Sequence, residues 1–494
     1  MISAALPEAA LRELGRTAGG PDTLALLVRD QHTRRLLLLR AVLDAVEAAD
    51  AAVCPSSVRG RLREDWALLE AADGTGVGGV GTETWSGSGG RGSAALERLL
   101  YPLVGPWARS CLRLLDGSVV DGTRRPLEER VRLLRRDLAH FSTVAAAAAV
   151  RAGVSFAVRL RARDGVLVLP SLGALRTGAV GDVAVELTVR EGRMTFCQSG
   201  AADVVVRWTG DAASTAGSEA ATWIPACFLP ALSPGAAPVP LDDVDPYRSA
   251  SHENRHSGVG GPVRADATER GRWLRSWSGT APLLRLAGEH RVAEVLAMLR
   301  CVVPVATPAA LTGRARGSGS CSGTRREAFG AILSSLPPSP VAFAATLVHE
   351  MQHAKLAALS EMVVLHHAGP EERYFAPWKP GPRPYEALLH GVYSHVAVAD
   401  FFHRCALSTV VKPAQRVSAW GRYARHREQV RAVLPLIATS EELAPPGRLL
   451  VDMLVEECTR MDANPPPTEA REEAEKHVDR MRKRWVRENA PVSG

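Results

Sequence analysis

Apolar residues recur every three to four positions along most of the chain, with charged residues between them. This is the spacing of amphipathic helices. Prolines and glycines interrupt the pattern and divide it into segments. The pattern predicts helices within the following stretches: 1–72, 94–152, 271–304, 325–336, 340–361, 385–411, 415–462 and 468–488. The last of these is so rich in charge that we expect a solvated helix.

A second pattern, strict alternation of apolar and polar residues, is confined to the middle of the chain. It occupies residues 155–161, 183–189 and 204–208, and a period of two is typical of half-buried strands. Asp164 and Gly165 supply a tight-turn dipeptide between two such runs. We therefore predict a mainly α (α+β) protein, with a helical core and a small antiparallel β-region.

These patterns divide the chain into four consecutive regions. The first region, 1–152, is helical and is interrupted by a glycine-rich loop at 73–93. The second region, 153–270, combines strands with proline-rich loops. The third region, 271–415, is the helical core that carries the candidate metal site described below, and 416–494 adds C-terminal helices.

Two motif-like stretches are interpreted as structural. Residues 76–81 match G-x-G-x-x-G, but a dinucleotide-binding fingerprint needs a strand before it and a helix after it. Here a helical segment precedes the stretch and a Ser/Gly linker follows, which predicts a flexible loop. Asp242, Asp243 and Asp245 cluster without the glycine and distal Glu of an EF-hand, so we expect a turn. Gly, Ser and Arg dominate 312–323, which predicts a further loop.

Composition and charge argue against some classes of binding partner. The net charge is +7 and the pI is about 9.1, but Lys and Arg are scattered, which argues against nucleic-acid binding and is compatible with attraction of an acidic peptide. The eight cysteines stand singly, as is typical of a reducing cytoplasm. No signal-peptide pattern opens the sequence and no run of about 18 apolar residues occurs. We therefore expect a cytoplasmic protein without a membrane partner.

One apolar, alanine-rich segment carries a chemical motif, His349-Glu350-Met351-Gln352-His353. Histidines four residues apart lie on one helical face and can bind one transition metal. Glu350 follows the first histidine, where it can act as a base toward metal-bound water. The alternative is a helix with two surface histidines, which the apolar neighbours of the motif make less attractive.

A third ligand is expected from a later helix. Eight of the 14 histidines lie between 349 and 426. On a helical wheel of residues 385–411, His395 lies on the side of the apolar stripe and His390 lies nearly opposite, so His395 is favoured and His390 is interpreted as a surface or supporting group. His366 and His367 are interpreted as loop residues. The candidates considered are His366, His367, Glu361, Glu386, His390, His395 and His403.

Several motifs together resemble a known family. They are the His349–Leu356 motif, Tyr374 to Trp378, Pro382-Arg383-Pro384 and Gly391-Val392-Tyr393-Ser394-His395. As a set they are similar to the HExxH-motif peptide-modification proteins, which occur in gene clusters for ribosomally made, post-translationally modified peptides. The close resemblance covers about residues 325–404, and weaker similarity includes 34–43 and 241–248.

This resemblance implies an iron(II) and 2-oxoglutarate-dependent oxygenase that β-hydroxylates a residue such as Asp in a precursor peptide. It implies His349, His353 and His395 as metal ligands and Arg383 as the cation for 2-oxoglutarate, a role that suits its planar guanidinium. A three-histidine set departs from the usual two-His-one-carboxylate arrangement. The chain departs from the family at two positions, His390 and Lys379, where Gln and Arg are usual. Side chains that would support the ligands are His390, Tyr393, Trp378 and Gln352.

Two other functions stay open at this point. A zinc metallopeptidase would use Glu350 as its general base; the cysteine pattern and the lack of a secretory signal or propeptide-like segment argue against it. A non-catalytic peptide-binding protein is the second alternative. The residues leave open which of Zn, Fe, Ni or Cu is bound, which peptide residue is modified, and the oligomeric state.

Overall fold

The computed structural model describes residues 6–74, 93–117, 126–208, 217–218, 220–248, 260–308 and 320–489. The G-x-G-x-x-G stretch at 76–81 lies outside the described residues, as do most of the loops predicted at 73–93 and 312–323. Those three predictions therefore stay predictions.

Helices dominate the described chain, and short strands occupy its middle, so the predicted mainly α fold with small antiparallel sheets is confirmed. The helices are α1 Glu8–Gly15, α2 Pro21–Ala48, α3 Ser56–Gly74, α4 Ala94–Leu99, α5 Val104–Asp116, α6 Leu127–Arg151, α7 Ala267–Ser278, α8 Thr280–Leu286, α9 Glu289–Met298, α10 Pro340–Met362, α11 Tyr385–Leu407, α12 Pro413–Arg431, α13 Leu434–Ala438, α14 Pro445–Asp462 and α15 Thr468–Asn489. The strands are β1 Phe156–Arg161, β2 Val166–Leu169, β3 Gly173–Arg176, β4 Ala184–Arg190, β5 Arg193–Cys197, β6 Val204–Arg207, β7 Trp223–Pro225, β8 Cys227–Leu229, β9 Val239–Leu241, β10 Cys301–Pro304, β11 Ser322–Thr324 and β12 Ala331–Ser334.

The helix that carries the HExxH motif begins at a strong local signal. The side chain of Ser339 accepts a hydrogen bond from the backbone N–H of Ala342, and Pro340 occupies the first helical turn. Serine is a favoured N-cap, and proline fits the first turn because its missing N–H has no intrahelical partner there. The prediction of a helix over 340–361 is therefore confirmed to within one residue, as Pro340–Met362.

The predicted antiparallel region is present as two sheets. One has the strand order β1-β4-β5-β6 and the other β2-β3-β7, with antiparallel pairing throughout. The tight turn at Asp164 and Gly165 is present, with φ of 49° and 74°, and it closes a single bridge between Arg163 and Val166. The strands beyond it separate, because β1 pairs with β4 and β2 pairs with β3.

The helix predicted over 325–336 is wrong. Only a 3₁₀ turn at Arg326–Ala328 is helical there, and Ala331–Ser334 is a strand that pairs in parallel with Cys301–Pro304. The last residues of the helix pair predicted over 271–304 also form a strand, β10 at Cys301–Pro304. All four positions of both strands are buried. A short apolar run of this kind has the same appearance in a buried helix and in a strand buried on both faces.

These two strands belong to a five-stranded sheet with the order β11-β12-β10-β9-β8. It is mixed, because β10 pairs in parallel with β12 and β9 while the outer pairs are antiparallel. The three aspartates at 242–245 follow β9 directly, and backbone N–H groups of Val244 and Asp245 donate to Asp242 Oδ1. The stretch is thus a turn in the structure.

The chain forms two compact units, each assembled from separate segments. We call them the histidine unit, made of Met1–Asp30, Arg275–Leu299 and Pro337–Gly494, and the sheet unit, made of Gln31–Leu274 and Arg300–Leu336. The four consecutive regions expected from the sequence follow chain order, whereas these units interleave. Among the described helices, none combines the length and the apolar composition needed to cross a bilayer.

The alanine run of α6 connects two hydrophobic clusters within the sheet unit. Ala145, Ala148 and Ala149 pack into one cluster, while Ala146 and Ala147 pack into the other. All five are fully buried. Alanine permits neighbouring elements to approach this helix on every side, since its side chain is a single methyl group.

Candidate functional site

The HExxH histidines lie side by side on α10. Their Nε2 atoms are 3.0 Å apart and their ring centroids 4.6 Å apart, as expected for residues one helical turn apart on one face. Both side chains are half-buried. For metal–nitrogen bonds of about 2.0–2.1 Å, two imidazoles on one ion have nitrogens about 2.9–3.4 Å apart. The separation of His349 and His353 falls in this range.

Helix α11 passes α10 with its own two histidines facing this pair. The ring of His395 meets that of His349 at 5.6 Å between centroids, and the ring of His390 stacks on His353 at 5.5 Å. The Nδ1 atoms of His353 and His390 are 3.3 Å apart. The higher-numbered residue of one helix faces the lower-numbered residue of the other, so the two helices run in opposite directions at this point.

The expectation that His390 projects away from the site is therefore wrong, whereas its interpretation as a supporting group agrees with the stacking on His353. The helical wheel predicted the wrong orientation for His390 because α11 has no single apolar face. Every residue from 391 to 400 is buried, so the stripe through Leu388 and Val392 does not mark the surface that meets α10. At about 100° per residue the midpoint between His390 and His395 is close to Gly391.

A fifth histidine joins the cluster from α12. His426 Nδ1 lies 2.8 Å from His395 Nδ1, so one ring donates a hydrogen bond and the other accepts it. The second face of His426 stacks on Phe402. His426 was not among the candidates predicted from the sequence. Its position could have indicated that it faces the interior, since it lies three residues after Tyr423 and four before Val430, both buried.

Burial keeps the imidazoles of His349, His353, His395 and His426 neutral. It lowers the pKa of His349 to about 4 and, together with the charge of His349, lowers that of His426 to about 3. The pKa values of His353 and His395 lie well below the ordinary value, first because of burial and then because of the neighbouring histidines. A neutral imidazole keeps a lone pair on one nitrogen, and this is the form that binds metal.

The connector between α10 and α11 is attached to the cluster through Trp378. Its ring stacks on His395 at 4.8 Å between centroids and an interplanar angle of 25°. Trp378 lies over Gly391, where a Cβ would come within 2.2 Å of Trp378 Cζ2. The Gly-Val-Tyr-Ser-His motif therefore needs its glycine to seat the indole beside His395.

Two cations of the same connector lie near each other. Burial lowers the pKa of Lys379, and the charge of Arg383 lowers it further. The backbone of Arg383 pairs with Tyr374, which closes the proline-rich connector into a narrow loop. Among the described residues, no carboxylate lies within 4 Å of either cation. Arg383 is half-buried, as is Lys379.

Glu350 is 1% exposed and lies on α10 about 100° around the helix from His349. Two other residues proposed to support the ligands bond elsewhere. Gln352 Nε2 donates to Glu294 Oε2 at 3.3 Å, and the Tyr393 hydroxyl donates to the carbonyl of Leu14 at 2.7 Å. The structure thus places Gln352 and Tyr393 in contacts that hold the helices together, while Trp378 and His390 touch the histidine cluster.

The contacts described for His366, His367 and His403 lie outside the cluster, whereas Glu386 approaches one of its members. His366 meets the ring of Tyr385 and forms a backbone bridge with Leu443, and His367 donates its backbone N–H to Glu442. His403 stacks on Tyr423, with its Nε2 3.2 Å from the carbonyl of Asn464. Glu386 approaches His390 Nε2 at 4.0 Å. Glu361 is half-buried near the end of α10.

The donor set suits a first-row transition metal, since neutral imidazoles are ligands for Zn, Cu, Fe and Ni. The pair His349 and His353 has the separation of two ligands of one ion. A third ligand is not yet in place, because within the described part of the chain no three His, Cys, Asp or Glu side chains form a metal-holding group. In the present arrangement, His395 and His426 use their Nδ1 atoms for each other.

Comparison with known proteins leaves the family unassigned. No protein-family model matches this chain, and no curated protein matches it.

Proposed function

We propose that this protein is a metal-dependent enzyme that hydroxylates a side chain, such as that of Asp, in a ribosomally made precursor peptide, with Fe(II) and 2-oxoglutarate. One observation carries the proposal. In a histidine cluster around an HExxH pair, burial keeps His349, His353, His395 and His426 neutral, and His395 stacks on Trp378 of a connector that also carries two cations. The histidines suit the metal and the cations suit a dicarboxylate.

His349, His353 and His395 are the proposed ligands, with His390 and His426 holding the rings of His353 and His395 in place. Fe(II), when bound there, would supply the O₂ chemistry that places one oxygen atom in the peptide and the other in succinate as 2-oxoglutarate loses CO₂. Trp378 restricts the His395 ring by stacking on it.

The cations of the connector support 2-oxoglutarate as the cosubstrate. Burial lowers the pKa of the half-buried Lys379, and the nearby charge of Arg383 lowers it further, which the carboxylate of Glu372 offsets only in part. Two neighbouring cations without a carboxylate in direct contact favour the binding of an anion between them. A guanidinium binds a carboxylate through two parallel hydrogen bonds, so we assign the distal carboxylate of 2-oxoglutarate to Arg383.

A zinc peptidase with Glu350 as general base is the competing function, because the HExxH pair has the spacing that zinc also accepts. The two functions require different products. An oxygenase adds one oxygen and leaves the backbone intact, whereas a peptidase cleaves a peptide bond with Zn(II) and without 2-oxoglutarate.

The test is anaerobic titration of the purified full chain with Fe(II) and then 2-oxoglutarate, followed by admission of O₂. We expect one metal per chain, a visible charge-transfer band when 2-oxoglutarate is added, and succinate formation after O₂. His349→Ala/His353→Ala should abolish all three, and Arg383→Gln should weaken 2-oxoglutarate binding at least about tenfold. His403→Gln, which alters a buried histidine of α11 outside the cluster, is the matched control.

Undiminished metal binding by the double variant would exclude this site. Zinc-dependent cleavage of a peptide, lost in Glu350→Gln, would instead establish the peptidase. Metal binding without either activity would leave a peptide-binding protein.

A further inference from the structure

The sheet unit contains two adjoining cavities lined by arginine. Their volumes are about 880 and 420 Å³, and they share Arg136 and Arg161 as common walls. Elements α3 and α6 and strands β1 and β4 line the larger cavity, while β2 and the turn after β9 line the smaller one. We call the two cavities together the arginine groove. Its nine arginines are Arg61, Arg132, Arg135, Arg136, Arg159, Arg161, Arg163, Arg248 and Arg264, against three lining carboxylates, Glu128, Asp164 and Asp182.

Most of the positive charge in the groove is not neutralised by the protein. Arg136 is occupied by Asp164 and Asp182, Arg61 pairs with Asp65, and Arg163 lies 3.7 Å from Asp137. No described carboxylate lies within 4 Å of the other arginines of the larger cavity, which are Arg132, Arg135, Arg159 and Arg161. The groove thus presents a cluster of cations with free hydrogen-bonding capacity.

One wall of the groove is a strand at the edge of a sheet, with no second strand paired to it among the described residues. Strand β1 is terminal in the order β1-β4-β5-β6. The N–H of Ala162 donates to Val183 on the β4 side, and antiparallel bonding alternates along a strand. The backbone N–H and C=O groups of Ala157, Arg159 and Arg161 therefore point away from β4, toward the edge. The side chains of Arg159 and Arg161 are exposed at that edge.

We propose that an extended acidic peptide segment binds in the arginine groove by adding as a strand to the edge of β1. Its backbone would bond to Ala157, Arg159 and Arg161, as in other peptides that extend a sheet. Its carboxylates, on alternate residues, would pair with arginines of β1 and α6.

The lining favours a peptide over a single-stranded nucleic acid. Apolar residues form part of both cavities, including Val58, Leu62 and Val131 in the larger one and Val168 in the smaller one, and these suit apolar peptide side chains between the acidic ones. Single-stranded nucleic acids are held by exposed aromatic rings on which bases stack. The only aromatic ring among the described lining residues other than that of His140 belongs to Tyr247, and both rings are buried.

That this peptide is the substrate of the enzyme rests on the proposed function, whereas binding itself requires neither metal nor turnover. The test is therefore fluorescence anisotropy in metal-free buffer at low salt, with the full chain and a short fluorescein-labelled peptide of alternating Glu and Thr. The same peptide with Gln in place of Glu tests charge, and alternate backbone N-methylation tests strand addition. A fluorescein-labelled oligothymidylate of equal length tests nucleic acid.

Two charge-reversed variants localise the binding. Arg159→Glu/Arg161→Glu changes the groove, while Arg190→Glu/Arg193→Glu changes a facing pair of exposed residues on β4 and β5 that do not line either cavity. Both variants change the net charge equally, so a general field affects them alike. Thermal melts establish that both are folded.

We expect the groove variant to bind the Glu/Thr peptide at least about tenfold more weakly, the control variant to bind nearly as the parent does, and both the Gln peptide and the N-methylated peptide to bind poorly. An equal loss of peptide affinity in both variants would overturn the proposal, because it would show that the peptide is attracted only by the overall positive charge of the protein. Tighter binding of oligothymidylate than of the acidic peptide would overturn the assignment of a peptide. Failure of the hydroxylase test would leave all of these outcomes unchanged, and the reverse also holds.

Discussion

At the scale of single residues, one glycine and one buried ion pair hold the helices around the HExxH motif in place. Gly391 lies between His390 and His395 on α11, and the indole of Trp378 occupies the space that any side chain would fill. On the far side of α10 from the histidines, Lys355 Nζ donates to Glu294 Oε1 at 2.7 Å and to the carbonyl of Thr17 at 2.9 Å.

Gly391→Ala should displace Trp378 from His395, because the new methyl group would lie 2.2 Å from Trp378 Cζ2. We expect a loss of about 1–3 kcal/mol in the free energy of unfolding, the usual cost of overpacking, together with weaker metal binding. Urea unfolding and metal titration measure the two effects. Gly421→Ala is the control, since nothing lies within 4 Å of a Cβ there, and in a helix this change is neutral or stabilising. Similar stability changes in both variants would contradict the argument.

Lys355→Met should be strongly destabilising. Burial alone would raise the pKa of Glu294, but Lys355 and Arg291 more than offset this and hold it below the ordinary value. Removing one partner of such a buried pair costs about 3–5 kcal/mol. Lys483→Met, which breaks an exposed pair with Asp479, should have little effect in the same urea titration. A small loss for Lys355→Met would mean that Arg291 by itself neutralises Glu294.

At the scale of elements, the site is the place where three helices meet. Helix α10 brings two histidines, α11 brings two that face them in reverse order, and α12 brings one that bonds to the second helix. Trp378, in the connector that precedes α11, packs on Gly391 and His395 of that helix. Which histidines can bind one metal ion therefore depends on how the three helices pack, and it cannot be predicted from a motif or from spacing within one helix.

His395→Ala should lower metal affinity more than His390→Gln does. His395 is the proposed ligand, whereas loss of a supporting group costs about 10- to 100-fold. We expect His390→Gln to fall within that range and His395→Ala to exceed it, as measured by competition with a coloured chelator. His403→Gln serves as the control. Retention of metal by His395→Ala, with loss in His390→Gln, would make His390 the third ligand.

At the scale of the whole molecule, stability should depend on keeping buried histidines uncharged. Burial lowers the pKa of His140 to about 3, with the charge of Arg163 adding to the effect. It also lowers the pKa values of His32 and His290 to about 4. An unfolded histidine has a pKa of about 6.5, so the unfolded state binds more protons than the folded state between these values.

The free energy of unfolding should therefore fall as pH falls below about 6.5. A residue such as His140 contributes up to about 1.4 kcal/mol per pH unit down to its folded pKa. Urea unfolding at a series of pH values from neutral to mildly acidic measures the slope. His140→Asn should have a shallower slope than the parent by that contribution. An identical slope would show that His140 is protonated in the folded protein.

The elements with local signals could be predicted from the residues alone. The Ser339 cap, the proline at the first turn and the long apolar run specify α10, so the HExxH pair and its geometry follow directly from the residues. Alternation specified the antiparallel strands, and the φ preferences of Asp164 and Gly165 specified their tight turn. Each of these depends on interactions within a few residues of the chain.

Which elements face each other depends on packing between distant segments and could not be predicted. Strands β10 and β12 were predicted as helix because a fully buried apolar run has no periodicity that distinguishes a helix from a strand. Their parallel pairing with each other makes them strands. The orientation of His390 toward α10 could not be predicted, because α11 is buried on every side and its sequence does not show which side meets α10. The contact of His426 with His395, and the bonds of Gln352 and Tyr393 outside the site, likewise depend on how distant segments pack. The partners of a fully buried helix are set by packing among distant segments, and that information is not present in any one segment.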